Sequence, residues 1–388
     1  LGLHAIEIKE SGLSIVAGVD SSTQSVKIVV RELESGELIR EAKVAHPDGT
    51  ECDPRDWFEA LAKAINDVDE LKDVDAISIG GQQHGAVVLD NDGLPVRKAM
   101  LWNDTRSAKE ALDLNQEFGG AQATADAVGS LLVASFTATK LRWIADHEPE
   151  NLQRIAAVCL PHDYLSWKLN GDANLNTLFT DRSDASGTGY FDSKTSNYRR
   201  DLFLKAMRGH DAILPKVLKP NEFGGEYKGI PIAPGAGDNA GAALGVSAKP
   251  GDVVVSLGTS GTAFAVSESS THDPSGSVAG FADATGKFLP LVCTLNAARI
   301  LDAACKLLKV NHDELAELAL RATPGANGLT LLPYFEGERT PNRPNARGTL
   351  IGLSLNNSDP ANIARAYIEG MLCGLADAVF SLQVLGVA

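Results

Sequence analysis

The sequence predicts an α/β protein made of two domains with a similar plan. Strand-like runs rich in β-branched residues alternate with amphipathic helical stretches, which is the pattern of a mixed α/β architecture. A strand–turn–strand pattern near the start recurs at residues 253–266, and Pro250-Gly251 just before the second copy suits a domain junction. The 388 residues are enough for two domains with their own cores. We therefore expect a first domain over residues 14–248 and a second over residues 249–388.

The elements of the first domain follow from local patterns. In "SIVAGVDSSTQSVKIVV", residues 14–30, two β-branched runs flank a cluster of turn formers, which predicts a hairpin. "GELIREAKVAH" adds another strand. "DPRDWFEALAKAINDV" begins with an Asp-Pro start signal and repeats apolar residues at helical spacing, and "VDAISIGG" is typical of a short buried strand. The pattern from about residue 104 to 230 is mostly helical, with Trp167 at a core position.

The second domain opens with a copy of the first hairpin. Aligning the two turns places Thr23 opposite Thr259, and each tip offers hydroxyls and backbone N–H groups that can bind phosphate oxygens. A single tip of this kind is also compatible with a plain structural turn. Two of them in one chain suggest two similar domains that face each other and hold a polyphosphate between them. Asp20, at the end of its strand, is placed to hold a hydrated Mg²⁺ ion. Lys27 either contacts phosphate or lies exposed on its strand.

The stretch "GAGDNAGAALG", residues 235–245, puts one carboxylate among glycines and alanines. Asp238 directly precedes a run that favours helix, so it is a predicted N-cap. Glycine lets the backbone approach other groups closely, and a helix N-terminus stabilises negative charge nearby. A carboxylate in such cleared surroundings suits general-base catalysis, which needs the base about 3 Å from the proton that it removes.

Two polar loops are candidates for binding a polyhydroxy ligand. "GGQQHGAVVLD", residues 80–90, places Gln83 and His84 between glycines after a buried strand. A neutral His and an amide can each donate and accept hydrogen bonds, although a lone His is also commonly a core group. In "LWNDTR", residues 101–106, Trp102 is either core packing or an aromatic face for the C–H groups of a sugar. Arg106 orients Asp104, contacts the ligand or lies on the surface.

The composition argues against some classes of binding partner. The net charge of −15 argues against nucleic acid, which requires Lys and Arg gathered in a patch. We find no run of about 18 to 20 apolar residues and so expect no membrane-spanning helix. The chain has five cysteines, which is an odd number, and no two are spaced as a Cys-X-X-Cys pair. This favours reduced thiols in the cytoplasm. Cys293, Cys305 and Cys373 lie in apolar runs, so we expect them to be buried.

Several of these segments resemble the FGGY carbohydrate kinases of the actin/hexokinase superfamily. "GVDSSTQSVK", "GAGDNAGAALG" and "SLGTSGT" occur in the family's order, and "SFTATKLRWIADH" resembles the first of its two signatures. "GTLIGLSLNNSDPANIARAYIEG" resembles the second, with Tyr367 where a smaller residue is usual. "GGQQHG", "LWNDTR" and "LPYFEGERTP" resemble the xylulokinase branch. Ser22, Gln24 and Ser25 depart from the usual Gly and Ser residues, and Gln83 replaces the usual Met.

The resemblance implies two ribonuclease-H-like domains with a cleft between them, the second incomplete. It implies an ATP- and Mg²⁺-dependent kinase that converts D-xylulose to D-xylulose 5-phosphate, with Asp238 as the general base of a direct in-line phosphoryl transfer. The residues implied to bind the sugar are Gln83, His84, Trp102, Asn103, Asp104, Asp238 and Asn239. Those implied to bind the phosphates of ATP are Ser22, Thr23, Gln24, Lys27, Gly258, Thr259 and Ser260. The metal is expected at Asp20, through water, and at Asp238.

Three alternatives stay open. The substrate could be another sugar or polyol of the family, such as L-ribulose or gluconate. The chain could instead be an actin-like ATPase module that binds partners and phosphorylates nothing. The apolar pattern from Ile363 to Leu385 still runs when the sequence stops. We therefore expect that the family's adenosine loop is missing and that this fragment binds sugar but uses ATP poorly. The sequence leaves the oligomeric state open, with a homodimer as one alternative.

Overall fold

The structure is a computed structural model that describes residues 14–341, 343 and 345–387. It contains two units. The first runs to Gly245 and includes Phe281–Lys287, and the second comprises Val246–Gly280 and the residues from Phe288 onward. Residues 281–287, which the sequence places in the second domain, lie with the first unit. Arg182 Nη1 lies 3.5 Å from Asp283 Oδ1 and donates to the carbonyl of Lys287, which holds this segment there.

The secondary structure alternates short strands and helices along the chain. The strands are β1 (Ile15–Ser21), β2 (Ser25–Glu32), β3 (Leu38–Ala45), β4 (Glu51–Cys52), β5 (Ala76–Gly81), β6 (Val87–Leu89), β7 (Ala99–Met100), β8 (Ala157–Cys159), β9 (Phe179–Thr180), β10 (Phe191–Asp192), β11 (Asn197–Tyr198), β12 (Lys216–Val217), β13 (Gly225–Tyr227), β14 (Ile230–Ile232), β15 (Ala236–Gly237), β16 (Val253–Leu257), β17 (Gly261–Ala265), β18 (Ala279–Ala282), β19 (Phe288–Thr294), β20 (Thr330–Leu332) and β21 (Thr349–Ile351). The helices are α1 (Pro54–Asp67), α2 (Ala108–Glu117), α3 (Ala121–Val128), α4 (Thr137–His147), α5 (Pro149–Arg154), α6 (Pro161–Asn170), α7 (Arg182–Ala185), α8 (Arg200–Ala206), α9 (Asp238–Gly245), α10 (Ala298–Leu308), α11 (His312–Arg321) and α12 (Pro360–Val384).

The first unit is built on a sheet with the strand order β13–β14–β5–β1–β2–β3, with β15 beside β5. β1 is antiparallel to β2 and parallel to β5, and β5 is parallel to β15. On β2, Val26, Ile28 and Val30 all point to one face and are fully buried, as the period of two in a strand requires. The predicted first hairpin is confirmed, and residues 22–24 form its tip.

Helix α1 covers the buried face of this sheet. Asp53 caps it by accepting from the backbone N of Arg55 at 3.0 Å, and Pro54 occupies the first turn. Its buried stripe includes Trp57 and Leu61, which pack in one core with β1 and β2. Burying each such side chain contributes about 1.5–3 kcal/mol of transfer free energy. The helix predicted from the Asp-Pro signal is therefore confirmed.

The second unit contains a four-stranded sheet of order β16–β17–β19–β18. β16 and β17 form the second predicted hairpin, with residues 258–260 at its tip. Ile300 of α10, Leu315 of α11 and Met371 of α12 share one core. α12 is long and apolar enough to cross a membrane by length and composition, with a mean hydropathy of 1.2 over 18 residues, although charged residues interrupt its apolar sequence. One such helix is weak evidence of a membrane span, because helices in protein cores have the same composition.

The cysteines follow the sequence expectation only in part. All five are free thiols, as expected from their spacing. Cys293 and Cys305 are half-buried and Cys373 is exposed on α12. The expected burial is therefore wrong for Cys373, and Cys293 and Cys305 meet it only in part. An apolar run supplies residues to every side of a helix, and only one side of α12 faces the core.

Candidate active site

A cavity of about 690 Å³ in the first unit is lined by residues of β1, β5 and β15 and by the start of α9. The three strands run in the same direction, so their carboxyl ends meet at one edge of the sheet. The register places Asp20 beside Gly80, and Gly80 beside Ala236. Asp20 and Asp238, which are far apart in the sequence, thereby line the same cavity.

Asp238 is the first residue of α9, which confirms that a helix starts here, but it lies inside the helix and the prediction that it is the N-cap is wrong. Its Oδ1 accepts from the backbone N of Asn239 at 2.7 Å and from its Nδ2 at 2.8 Å. A capping side chain ordinarily bonds two or three residues onward, so this carboxylate does not make the usual N-cap bond. The residue is open to solvent on the cavity side, but the surrounding protein disfavours its charge. Burial first, and then the charge of Asp20, raise the pKa of Asp238 to about 6.

Asp20 gives the cavity a second acidic group. Burial raises the pKa of Asp20, while the charges of Lys27 and Lys43 oppose that shift. Two carboxylates on one solvent-filled cavity fit Mg²⁺, which binds one or two protein carboxylates and keeps several waters. A divalent cation would also relieve the repulsion between Asp20 and Asp238. The donor set is therefore suited to the metal that the sequence predicts here.

At Gly235, neighbouring residues of the first unit occupy the space that a side chain would need. Its φ is +89°, in the left-handed region that favours glycine. A Cβ at this position would lie 2.4 Å from His162 Cδ2 and 2.4 Å from the carbonyl oxygen of Ile79. The backbone of the turn before α9 is therefore pressed against β5 and α6, and only glycine fits there.

Gly237 and Gly241 have different surroundings on either side of Asp238. A Cβ on Gly237 would lie 2.7 Å from Gln83 Nε2, whereas a Cβ on Gly241 would meet nothing within 4 Å. Gly241 also lines the cavity. The small residues before Asp238 are thus required by packing, and those after it leave open space. The structure places Gln83, predicted to bind sugar, directly against this backbone.

A buried ion cluster supports the same turn. His162 is fully buried at the start of α6, with Nδ1 2.6 Å from Asp184 Oδ2 and Nε2 3.3 Å from the carbonyl oxygen of Pro234. Both ring nitrogens face oxygen atoms, which favours the doubly protonated imidazolium. Burial alone would lower the pKa of His162, but Asp163, Asp184 and Asp181 outweigh it and raise the pKa to about 10. The charged ring therefore ties α7 to the turn before α9.

Helix α7 makes a second tether to that turn. Ser183 Oγ accepts from the backbone N of Gly237 at 3.0 Å, and the Ser183 carbonyl accepts from Gln83 Nε2 at 3.4 Å. Sequence reasoning missed both Ser183 and His162. The sequence signal for His162 is its position directly after Pro161 in the mostly apolar run "AVCLPHDYL". Such a buried titratable group usually has a charged partner elsewhere in the fold.

His84 is held in one orientation at the end of its loop. The residue is 8% exposed and has a φ of +71°. Its Nδ1 lies 2.6 Å from the carbonyl oxygen of Gly187, and its ring packs against Phe136 with 4.8 Å between centroids. Because Nδ1 faces a carbonyl, it must carry the hydrogen, and Nε2 of the neutral ring is then an acceptor.

Asp104 is bound within its own loop. Its Oδ1 accepts from Arg106 N (3.0 Å) and Nε (2.9 Å), and its Oδ2 accepts from Nη2 (2.7 Å). Burial opposes ionisation, but the bonds from Arg106 outweigh it and hold the pKa of Asp104 below its usual value. Fully buried Lys140 donates to the carbonyls of Asp104 (3.2 Å) and Ala134 (2.8 Å). Both contacts fix the loop that carries Trp102 and Asn103.

The other two residues of this loop have different contacts. Trp102 is half-buried, and its Nε1 donates to Thr23 Oγ1 at 2.9 Å. Asn103 Nδ2 lies 3.5 Å from the carbonyl oxygen of Gly49, while its buried Oδ1 has no hydrogen-bond partner among the residues that the structure describes. A buried acceptor without a partner is costly unless a ligand or water satisfies it. The Asn103 Oδ1 atom is therefore a candidate acceptor for a bound water or ligand group.

The tip of the first hairpin is only partly free to bind phosphate. Ser22 Oγ donates to the carbonyl of Ser25 at 2.9 Å, and Gln24 is exposed. Lys27 lines the cavity, and its Nζ lies 2.9 Å from Glu41 Oε2 on the neighbouring strand. Of the phosphate-binding residues predicted in this unit, Lys27 is the one that shares the cavity with the two acidic groups.

The tip of the second hairpin lies in the second unit. Gly258 and Thr259 are exposed, and Ser260 is half-buried. Gly258 N donates to the Ser260 carbonyl at 3.2 Å, and the Gly258 carbonyl accepts from the backbone N of Ala298 at 2.9 Å. The Thr259 side chain is thus presented to solvent at the centre of the tip. That the two tips hold one polyphosphate stays a prediction.

Comparison with known proteins gives matches over most of the chain. Residues 15–245 match the N-terminal domain of the FGGY family of carbohydrate kinases, and residues 253–387 match its C-terminal domain. Xylulose kinase from Streptomyces coelicolor is 43% identical over 379 residues, which cover 94% of this chain and 76% of that protein. Xylulose kinase from Streptomyces rubiginosus is 44% identical over 371 residues, covering 91% and 73%. The crystal structure of xylulose kinase from Bifidobacterium adolescentis has a TM-score of 0.90 and 47% identity, covering 97% and 84%.

Proposed function

Because the chain belongs to the FGGY family of carbohydrate kinases, we propose that it transfers the γ-phosphoryl group of ATP to the 5-hydroxyl of D-xylulose. The products are D-xylulose 5-phosphate and ADP. Asp238 is the observation that carries the proposal, because its carboxylate stands at the start of α9, lines the cavity and has a raised pKa. The names of the related xylulose kinases support the choice of sugar.

In the proposed step, the Asp238 carboxylate takes the proton of the 5-hydroxyl while the hydroxyl oxygen attacks the γ-phosphorus. The bond from phosphorus to the β–γ bridging oxygen breaks on the opposite side, and ADP leaves with that electron pair. A carboxylate with a pKa of about 6 is a stronger base than an ordinary aspartate and is still mostly ionised at neutral pH. Bound Mg²⁺, held by Asp20 through water and by Asp238, would shield the charge of the phosphates.

The sugar is proposed to bind along the two polar loops. His84 Nε2 accepts from a sugar hydroxyl, and the Asn103 and Gln83 amides supply further hydrogen bonds. Trp102 offers its ring face to the C–H surface of the sugar. Asn239 contributes beside Asp238. Asp104 contributes by holding the loop, because Arg106 already occupies both of its carboxylate oxygens.

The phosphates are proposed to bind at the two hairpin tips. Ser22, Thr23 and Gln24 contribute backbone N–H groups and hydroxyls, with Lys27 as the nearby cation. In the second unit the corresponding residues are Gly258, Thr259 and Ser260. We further propose that the enzyme acts on small molecules in the cytoplasm, with neither nucleic acid nor a membrane as partner.

A coupled assay that follows ADP release tests the proposal, with D-xylulose, L-ribulose and gluconate offered in turn. We expect D-xylulose to give the highest kcat/KM. Asp238→Asn should lower kcat about 10²- to 10⁴-fold, the usual contribution of general-base catalysis. Asp67→Asn, which changes an exposed carboxylate at the end of α1, is the matched control.

Two outcomes would overturn the proposal in different ways. Retained turnover in Asp238→Asn would remove this residue from its role as base. ATP hydrolysis that no sugar stimulates, together with no phosphorylated product, would favour an actin-like ATPase instead. Sugar binding is measured independently of turnover by the rise in Tm with D-xylulose, because a ligand that binds only the folded state stabilises it.

A further inference from the structure

A chain of hydrogen bonds joins the tip of the first hairpin to both polar loops. Trp102 Nε1 donates to Thr23 Oγ1 at 2.9 Å. Thr23 Oγ1 in turn lies 3.4 Å from Gln82 Oε1, and Gln82 Nε2 lies 3.5 Å from the carbonyl oxygen of Ser22. Gln82 is 2% exposed and directly precedes the Gln83-His84 pair. One threonine hydroxyl therefore contacts side chains from two segments, 59 and 79 residues further along the chain.

The chemistry of the three groups fixes the direction of these bonds. An indole N–H is only a donor, whereas a hydroxyl has one hydrogen and two acceptor lone pairs. Trp102 therefore occupies a lone pair of Thr23, and the hydroxyl hydrogen is directed elsewhere. In this structure the hydrogen faces Gln82 across 3.4 Å, which is long for a bond between a hydroxyl and an oxygen.

A phosphate oxygen would compete well for that hydrogen. Hydrogen bonds to charged acceptors are shorter and about twice as strong as bonds between neutral groups. Thr23 can turn its hydrogen from Gln82 to a phosphate without giving up the bond from Trp102. Trp102 thus keeps the Thr23 hydroxyl oriented as a donor, and it does so with the edge of the ring whose face is proposed to contact the sugar.

We propose that Trp102, Thr23 and Gln82 form a relay through which a bound sugar strengthens phosphate binding at the first hairpin. This inference rests on the proposed function and adds a positioning role to Trp102. A sugar on the ring face restricts the motion of the indole, and a restricted indole holds the Thr23 hydroxyl in the donor orientation. By thermodynamic linkage, phosphate at the hairpin must strengthen sugar binding by the same factor.

The expected size of the coupling follows from the bond that carries it. A neutral hydrogen bond contributes a net stabilisation that corresponds to about a two- to tenfold change in an equilibrium constant. We therefore expect bound D-xylulose to lower the Kd of a nucleoside triphosphate by at least about two- to tenfold. Removing the Trp102–Thr23 bond should remove this portion of the coupling while both ligands still bind.

The test is calorimetric and does not require turnover. The 388-residue chain is titrated with Mg²⁺ and a non-hydrolysable ATP analogue, with and without saturating D-xylulose, and the ratio of the two Kd values is the coupling factor. Trp102→Phe keeps the aromatic face and removes only the N–H group. Thr23→Val removes the hydroxyl at nearly constant shape, and Thr23→Ser restores it. Trp143→Phe, on α4, controls for the loss of an indole at a half-buried position.

The relay predicts a specific pattern across these variants. Trp102→Phe and Thr23→Val should each lower the coupling factor about two- to tenfold, and the double variant should lower it no further. Thr23→Ser and Trp143→Phe should retain the factor of the unmodified chain. The indole ¹⁵N–¹H resonance of Trp102, assigned by its loss in Trp102→Phe, should shift in Thr23→Val and on addition of the ATP analogue.

The outcomes that overturn the relay differ from those that overturn the proposed function. An unchanged coupling factor in Trp102→Phe, or a double variant whose loss is the product of the two single losses, would refute the relay while both ligands still bind. An unmodified chain that binds no D-xylulose and phosphorylates none would refute the proposed function, and the relay with it.

Discussion

Replacing Gly235 by alanine tests why the turn before Asp238 carries so little side-chain bulk. The φ of +89° alone should cost about 1–2 kcal/mol for a residue with a Cβ. The new Cβ would also lie 2.4 Å from the carbonyl oxygen of Ile79, which belongs to the central strand β5 and cannot move aside cheaply. Overpacking of this kind costs about 1–3 kcal/mol. Together, Gly235→Ala should lower the free energy of unfolding by about 2–5 kcal/mol.

Thermal and urea unfolding measure this loss, and Gly241→Ala supplies the matched control. For a unit of this size the loss corresponds to a fall in Tm of about 2–4 °C per kcal/mol. A Cβ on Gly241 meets nothing within 4 Å, so Gly241→Ala should stabilise α9 by about 0.5–1 kcal/mol through helix propensity. Equal stability of the two variants would refute the argument that packing, rather than the need for a cleared cavity, requires glycine at position 235.

The remaining predictions concern groups around the same turn and the neighbouring loop. Gly237→Ala should destabilise the fold through the Cβ placed 2.7 Å from Gln83 Nε2, and adding Gln83→Ala should restore most of the loss in a double-mutant cycle. His162→Gln should lower the free energy of unfolding by about 3–5 kcal/mol near pH 6, because it breaks a buried ion pair. The folded-state pKa of His162 is raised from 6.5 to about 10. Its contribution is therefore full below the unfolded value and is lost as pH rises through about 10, so the deficit of the variant should shrink. Lys140 has the opposite sign, because burial lowers its pKa from 10.5 to about 8. The contribution of Lys140 to stability should rise across that window, so the stability of the unmodified chain relative to Lys140→Met should increase with pH there.

Each of these predictions has its own contradicting result. Additive effects of Gly237→Ala and Gln83→Ala would show that the two positions do not interact. A deficit of His162→Gln that is equal at about pH 6 and about pH 9.5 would mean that the imidazolium charge contributes nothing. A stability slope in Lys140→Met that matches the unmodified chain above about pH 8 would assign the slope to other groups.

Much of the fold could be predicted because local patterns determine it. The family and the fold expected from the motifs are confirmed by the family matches and by the xylulose kinase structure. Both hairpins and α1 lie where their turn formers and start signal place them. The assignment of residues 281–287 to the first unit could not be predicted. It depends on contacts of Arg182 with a segment about 100 residues away, and no local pattern encodes such a pairing.

The candidate site likewise contains some residues that the sequence predicts and others that it does not. Asp20 and Asp238 were predicted as site residues because Asp20 is near the end of a strand and Asp238 starts a helical run, and the parallel register brings both to one cavity. The role of His162 depends on Asp184 and on the carbonyl of Pro234, which lie 22 and 72 residues away. A sequence shows that such a residue is titratable. It does not show which acceptors surround the side chain, and those acceptors decide whether it is a neutral core group or a buried cation.

The environment of Asp238 combines two separate physical requirements in one short stretch. Before it, Gly235 and Gly237 let α6 and the Gln83 loop pack against the backbone, which fixes where α9 starts. After it, Gly241 leaves the cavity side of the helix open. The proposed role of Asp238 as a base requires that its carboxylate be held rigidly and also be reached by a substrate. A bulkier residue before Asp238 would disturb the packing, and a bulkier residue after it would fill open space. The spacing of the glycines is therefore compatible with the proposed role of Asp238, and the variants at positions 235 and 241 test the packing before it and the open space after it separately.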